Sequence, residues 1–204
     1  MIQKRAAALF LLVFGSAASS WGIDEMTQYE LLAPETHQFA IRYDISATAP
    51  GSTLFYNIIR PGSLATDEKV FDRATGKEIP FVLTDAKEAK AAGQAEADVP
   101  DETKFIKVQL PHPVPKDGEC RLRIWKTYRD PKSYYPEGDR IIFERSLSVK
   151  RNVIVLPKGY ELIESSVPVM VSTEPDHRIK VSMVNDREDE LAVKIVGRKL
   201  IQSK

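Results

Sequence analysis

The segment from Lys126 to Arg140 concentrates side chains that are suited to recognition. It holds three of the seven tyrosines, together with two prolines and alternating charges. Tyrosine and arginine in a connecting segment offer contact area and hydrogen bonds at a low entropic cost, and stacked tyrosines also suit a sugar ring. We therefore predict a binding loop, with contacts from Trp125, Tyr128, Arg129, Tyr134 and Tyr135. The alternative is a proline-stiffened connection whose tyrosines cover the open end of a β-sandwich.

Three carboxylates of the same segment, Asp130, Glu137 and Asp139, are the candidates for acid–base chemistry. They keep a hydrolase open as an alternative, because catalytic groups often assemble from distant residues. The three histidines stand beside prolines, before a strand or in a turn. The sequence contains no Gly-x-Ser-x-Gly elbow, no His-Glu-x-x-His zinc helix and no glycine-rich phosphate loop. We therefore predict no catalytic residue.

Composition excludes several other kinds of site. The 29 basic and 29 acidic residues balance, which argues against a nucleic-acid binder. The single cysteine excludes a disulfide framework within the chain and a multi-cysteine zinc site. The acidic run 185–190 is interrupted by an arginine and lacks the spacing of a calcium loop. We predict neither a metal nor a cofactor, and we interpret Cys120 as a small buried apolar group.

A second surface is suggested by the strand that precedes the tyrosine-rich segment. Cys120, Leu122 and Ile124 alternate with Arg121, Arg123 and Trp125, and Lys126 follows as a further cation. An exposed face of arginine and tryptophan can bind anionic or aromatic ligands. The alternative is a solvent-facing side of a sheet.

Residues 1–20 have the three-part pattern of a secretory signal peptide. Lys4 and Arg5 form a basic start, residues 6–14 are apolar, and residues 15–20 are small. Cleavage after Ala18 or Ser20 fits this pattern, and the apolar stretch is too short to span a bilayer comfortably. We expect a secreted or periplasmic protein that keeps no stable membrane span after signal removal.

The elements that would position these residues are β-strands. Apolar and polar residues alternate with period two in segments such as 39–45, 105–110 and 120–125. About ten short strands, separated by turn signals, predict an all-β, antiparallel β-sandwich of immunoglobulin-like or related type. We expect one domain over 21–204 and a hairpin around 74–77. We also expect an exposed Ala-rich charged loop over 84–100, with room for one helical turn.

The chain as a whole resembles a group of small exported bacterial β-sandwich proteins, which brings no activity with it. The resemblance rests on residues 29–37, 72–77, 126–128 with 133–135, and 151–162. Residues 29–34 leading into 39–43 also resemble the N-terminal β-sandwich of gluzincin zinc aminopeptidases. Those enzymes carry their zinc ligands in a later catalytic domain, so this resemblance implies an accessory or docking domain.

Together these features predict an exported, non-catalytic binding or accessory module of the cell envelope. Its loops would recognise a protein or glycan partner. Two alternatives remain open at this stage: the hydrolase described above, and a structural subunit that assembles through its edge strands.

Overall fold

The computed structural model describes residues 25–200, and the predicted signal peptide lies outside them. A single turn of 3-10 helix spans Pro34–Thr36 and one α-helix, α1, spans Ala86–Ala91. The fourteen strands of the described residues are β1 (Met26–Leu31), β2 (Gln38–Ala47), β3 (Leu54–Ile58), β4 (Leu64–Asp72), β5 (Phe81–Asp85), β6 (Lys104–Gln109), β7 (Cys120–Arg129), β8 (Tyr134–Glu137), β9 (Arg140–Leu147), β10 (Arg151–Val155), β11 (Tyr160–Ser165), β12 (Met170–Thr173), β13 (Ile179–Val184) and β14 (Leu191–Lys199).

The strands form three sheets. The largest has seven strands in the order β12-β13-β10-β1-β2-β7-β4, and the others have the orders β11-β14-β9-β8 and β3-β6-β5. The pairing of β1 with β10 is parallel, whereas the other pairs of named strands are antiparallel. The predicted all-β sandwich is therefore confirmed, with more strands than expected and one parallel pair.

The core lies between the inner faces of the sheets. Phe143 on β9 meets the ring of Tyr29 at 5.3 Å and that of Phe39 at 5.6 Å between centroids, which joins the four-stranded sheet to the seven-stranded one. Ile106 and Val108 of the three-stranded sheet belong to the same buried cluster. One contiguous core thus draws on all three sheets.

The segment 84–100 is largely exposed and contains one short helix. Its first residues end β5, and α1 follows, with the Asp85 side chain accepting a hydrogen bond from the Glu88 amide as an N-cap. Ala86 and Ala89 are fully buried against Phe105. The sequence pattern does not predict this contact, because two alanines three residues apart form a very small apolar stripe.

The predicted hairpin around 74–77 is reduced to one isolated bridge between Phe71 and Glu78. Gly76 takes the positive φ of 72° that the turn requires. Beyond Pro80 the chain leaves β4, and β5 pairs with β6 in another sheet. The turn between β12 and β13 does form, and His177 adopts the positive φ (66°) expected from its position.

Within residues 25–200, no helix has both the length and the apolar character needed to cross a membrane.

Candidate functional site

The predicted tyrosine-rich loop is not a loop. Its first residues complete β7, a tight turn follows over 130–133, and β8 begins at Tyr134. Tyr128 is 2 % exposed and Tyr134 is 0 % exposed, so both rings belong to the core. The expectation that they lie on an exposed loop is wrong, because Tyr128 continues the inward row of β7 and Tyr134 points inward from the start of β8.

The five predicted binding residues therefore do not converge. Trp125 and Arg129 project from the outer face of the seven-stranded sheet, opposite to Tyr128. Tyr135 is half-buried and points away from its buried neighbour Tyr134. Of the set, Trp125, Arg129 and Tyr135 keep access to solvent.

Tyr134 has a structural role that can be tested against Tyr135. Its hydroxyl donates to the Leu32 carbonyl at 2.7 Å, and its own carbonyl lies 3.0 Å from His37 Nδ1. Tyr134→Ala should lower the free energy of unfolding by about 3–5 kcal/mol, as expected for a buried aromatic residue. Tyr135→Ala should change it by less than about 1 kcal/mol. Urea denaturation of the two variants measures both values, and equal effects would contradict this assignment.

The three carboxylates considered for a hydrolase are also separated. Asp130 is buried in the turn before β8, whereas Glu137 and Asp139 are exposed at its far end. Along an extended strand, the three residue steps from Tyr134 to Glu137 alone span about 10 Å. Among residues 25–200, no three His, Cys, Asp or Glu side chains are grouped in a way that could hold a metal.

Asp130 organises the turn that replaces the predicted loop. Its carboxylate accepts hydrogen bonds from the hydroxyls of Ser63 (3.1 Å) and Ser133 (2.8 Å) and from Arg145 Nη1 (3.1 Å). Burial opposes ionisation of Asp130, but these hydrogen bonds and the charge of Arg145 outweigh burial and lower the pKa of the carboxyl. The group is an ionised structural anion.

The outer face of the seven-stranded sheet carries an aromatic and basic patch, which we call the outer patch: Phe71, Arg73, Arg123 and Trp125. Two adjacent depressions of about 330 and 390 Å³ meet there, and the rings of Phe71 and Trp125 line both. A β-bulge after Thr66, where Asp67 has φ 58°, shifts β4 by one residue. This shift places Lys69 beside Trp125 and Phe71 beside Arg123 on the outer side.

Asp44 holds two of the arginines of the outer patch in place. Arg123 binds Asp44 through two hydrogen bonds of 2.6 and 2.9 Å, and Arg73 Nε lies 3.8 Å from the same carboxylate. Burial would raise the pKa of Asp44, but Arg123 and Arg73 together lower it. Arg42 stands opposite Trp125 in the strand register, and its buried Nε has no hydrogen-bond partner among the described residues. The predicted face of arginine and tryptophan therefore exists.

Lys126 does not belong to that face. It is 6 % exposed and continues the inward row of Leu122, Ile124 and Tyr128. The ammonium group lies 2.7 Å from Asn57 Oδ1 and 5.0 Å from the centroid of the Tyr128 ring. Burial, followed by the charge of Arg145, lowers the pKa of Lys126 from its usual 10.5 to about 7.

An inter-sheet cavity of about 360 Å³ opens around Lys126. Arg145, Tyr29 and Tyr128 line its interior, and the exposed residues Pro61, Ser148 and Glu190 lie at its mouth. Our interpretation of the sequence grouped Lys126 with the surface arginines and missed this cavity. The signal that could have revealed it is a lysine at an inward position of an otherwise apolar alternating row.

Cys120 is buried, as predicted, and its Sγ lies 3.5 Å from His112 Nδ1. Burial, with a smaller contribution from the charge of Asp72, raises the pKa of the thiol. A protonated thiol is a poor nucleophile, so this pair does not make an activated cysteine.

Solved structures with the same fold come from M1 zinc metallopeptidases. The enzyme from Deinococcus radiodurans matches with a TM-score of 0.52 and 11 % identity over 85 % of this chain. A mutant of that enzyme bound to a Tyr-Ser-Ala substrate gives the same TM-score at 10 % identity. This chain spans 41 % of the length of either protein. No family model matches the chain, and no curated protein matches it by sequence.

The matched part is the N-terminal domain of these peptidases. The resemblance of residues 29–43 to the N-terminal β-sandwich of zinc aminopeptidases is thereby confirmed as a likeness of fold, and it extends over 85 % of the chain. At this level of identity the likeness defines a class of fold and carries no residue role across.

Proposed function

We propose that this protein is an exported, non-catalytic binding module of the cell envelope that recognises a protein partner through the outer patch. The observation that carries the proposal is the pair of rings, Phe71 and Trp125, which lines two depressions beside Arg123. Tryptophan and arginine supply much of the binding energy in protein interfaces. The binding surface is therefore a sheet face and not the loop expected from the sequence.

Two further observations support a protein partner. Arg123, whose side chain is 35 % exposed beside these rings, favours a surface that offers carboxylate or carbonyl oxygens. In the similar solved structures, this fold occupies 41 % of a longer chain, so it accompanies further protein. A glycan that stacks on Trp125 is the competing kind of partner.

The outer patch can be tested by capture from envelope extracts. Trp125→Ala and Phe71→Ala should each reduce retention of the partner by about tenfold or more, as expected when an aromatic anchor is removed. The matched control is Val82→Ala, an exposed apolar residue of the three-stranded sheet. Unchanged retention by both patch variants would overturn the proposal. Loss of the partner on protease treatment of the extract, and not on addition of free glycans, distinguishes a protein from a glycan.

Export is part of the same proposal, and N-terminal sequencing of the protein purified from the envelope fraction tests it. Its N-terminus should begin at residue 19 or 21 in the envelope fraction, as the small residues 15–20 indicate.

Assembly through edge strands has one supporting observation. β12 forms one edge of the seven-stranded sheet, and its residues Met170 and Val171 are 70 % and 54 % exposed. The strand has four residues, and short edge strands are a common protection against edge pairing. For this reason we place assembly second.

A further inference from the structure

The inter-sheet cavity is distinct from the outer patch, because Lys126 and Trp125 are neighbours on β7 and project to opposite faces of the sheet. Two cations, Lys126 and Arg145, are less than one tenth exposed. They share one aromatic ring: Lys126 Nζ lies 5.0 Å and Arg145 Cζ 5.5 Å from the centroid of Tyr128. Burying two like charges beside the same ring is costly unless an anion accompanies them.

The protein supplies only part of that compensation. Asp130 binds Arg145 from the side of the turn at 3.1 Å. Lys126 has one short contact, to Asn57 Oδ1, and one long contact of 3.5 Å to the carbonyl of Ile58. An ammonium group carries three donors, so Lys126 retains hydrogen-bonding capacity.

The other charged groups around Lys126 do not complete the pairing. Glu68 on β4 acts on Lys126 through its charge, and Glu190 lies at the mouth of the cavity. Neither is hydrogen-bonded to Lys126 in the structure. Arg60, which lines the cavity, adds a further cation and donates to the Ser146 carbonyl at 3.2 Å.

The remaining lining is mixed: Thr27, Ser146 and Ser148 are polar, and the other residues are apolar or aromatic. Tyr29, Tyr43 and Ile41 border the cavity on the side of β1 and β2, and Ile58 borders it on the side of β3. A volume of about 360 Å³ is at the lower end of small-molecule sites, which combine apolar walls with a few convergent polar groups. The exposed residues at the mouth provide a route from solvent.

We propose that the inter-sheet cavity binds a small organic carboxylate, with the carboxylate placed between Lys126 and Arg145 and the apolar body against Tyr29, Tyr43 and Ile41. A bare inorganic anion would satisfy the cations but leave the apolar walls unused. A neutral ligand would contact the apolar walls but leave Lys126 without an anion.

Titration calorimetry with phenylpropionate tests the site on the whole protein. Its neutral isostere phenylpropionamide and inorganic phosphate serve as matched ligands. We expect phenylpropionate to bind about tenfold or more tightly than either, since each lacks one of the two interactions. Lys126→Met should abolish binding, and Lys104→Met, an exposed lysine at the start of β6, should leave it unchanged.

The pH dependence separates a charge-paired site from a merely apolar one. Lys126 must be protonated to pair with a carboxylate, and its pKa in the free protein is about 7. Binding should therefore weaken by about tenfold for each pH unit above 7, as the protonated fraction falls. Lys126→Arg stays charged and should lose this dependence while keeping affinity for the carboxylate.

Circular dichroism confirms folding of each variant before binding is measured. Three results would overturn the proposal: no binding of phenylpropionate at about 10 mM, equal binding of the amide or phosphate, or full binding by Lys126→Met. None of these results bears on the outer patch, whose test uses other residues and another partner.

Discussion

Replacing Lys126 by methionine should stabilise the protein by about 2–4 kcal/mol near neutral pH. The difference between the usual pKa of 10.5 and about 7 in the folded state corresponds to roughly 5 kcal/mol of disfavoured protonation. Methionine removes this cost and fills a similar volume. It also leaves Asn57 Oδ1 without its donor, which returns about 1–3 kcal/mol of the gain.

The pH dependence gives this prediction its sign. Because the folded pKa lies below the unfolded one, the unfolded chain binds more protons between pH 7 and 10.5. The free energy of unfolding of the wild type should therefore rise with pH across this range. The advantage of Lys126→Met is full below about pH 7 and shrinks as the pH approaches about 9.5.

Urea denaturation at several pH values below 10 measures this effect. The upper limit avoids ionisation of tyrosines in the unfolded chain at about pH 10. Such ionisation would add its own pH dependence, because burial raises the folded-state pKa of residues such as Tyr128 to about 12. Lys104→Met is the control and should change the free energy of unfolding by less than about 0.5 kcal/mol at every pH. A Lys126→Met variant that is less stable than the wild type at about pH 6 would refute the assignment of Lys126 as an uncompensated buried cation.

Removing the carboxylate of Asp130 should destabilise the protein by about 3–5 kcal/mol. Asp130→Ala leaves the buried Arg145 without its counter-ion and Ser63 and Ser133 without their acceptor. The pKa of Asp130 is lowered in the folded state, so its contribution is present above the unfolded pKa and lost as the pH falls through the folded one. The difference in free energy of unfolding between Asp130→Ala and the wild type should therefore decrease at acidic pH.

Asp189→Ala provides the comparison for Asp130. Asp189 also pairs with an arginine, Arg187, at 2.7 Å, but both side chains are exposed. Its loss should cost no more than about 1 kcal/mol. Urea denaturation measures the free energy of unfolding of both variants. Similar decreases for Asp130→Ala and Asp189→Ala would show that burial does not make the Asp130–Arg145 pair more stabilising than an exposed pair.

Alternation was a sound guide wherever a strand has one buried face. It predicted the strand around Phe39–Ile45, the row of Cys120, Leu122 and Ile124, and the segment 105–110, most of which forms β6. It failed where a turn lies inside a polar segment. The Asp130 turn and the short strand β8, which contains Pro136, have no apolar alternation of their own, so the region was predicted as a loop.

The candidate sites were predictable only in part. The outer face of arginine and tryptophan follows from period two in a single strand, and it was predicted. The partner of Trp125 in the patch, Phe71, comes from β4 and depends on a bulge that no local signal marks. The inter-sheet cavity forms where the three sheets pack together. Local sequence patterns do not reveal this packing. The lysine at its centre was visible in the sequence, but its partners Asn57 and Arg145 are far from it along the chain.

The parallel pairing of β1 with β10 has a consequence for how the chain acquires its fold. Met26 is aligned with Arg151, so the first strand becomes an interior strand only after more than half of the chain has been made. The antiparallel pair of β1 and β2 forms locally, but its second edge stays open until β10 arrives. Such distant pairing raises the contact order and slows folding. A nascent chain of this topology remains unfolded for longer than a chain of successive hairpins, and it is available in that state to the machinery that handles newly made proteins.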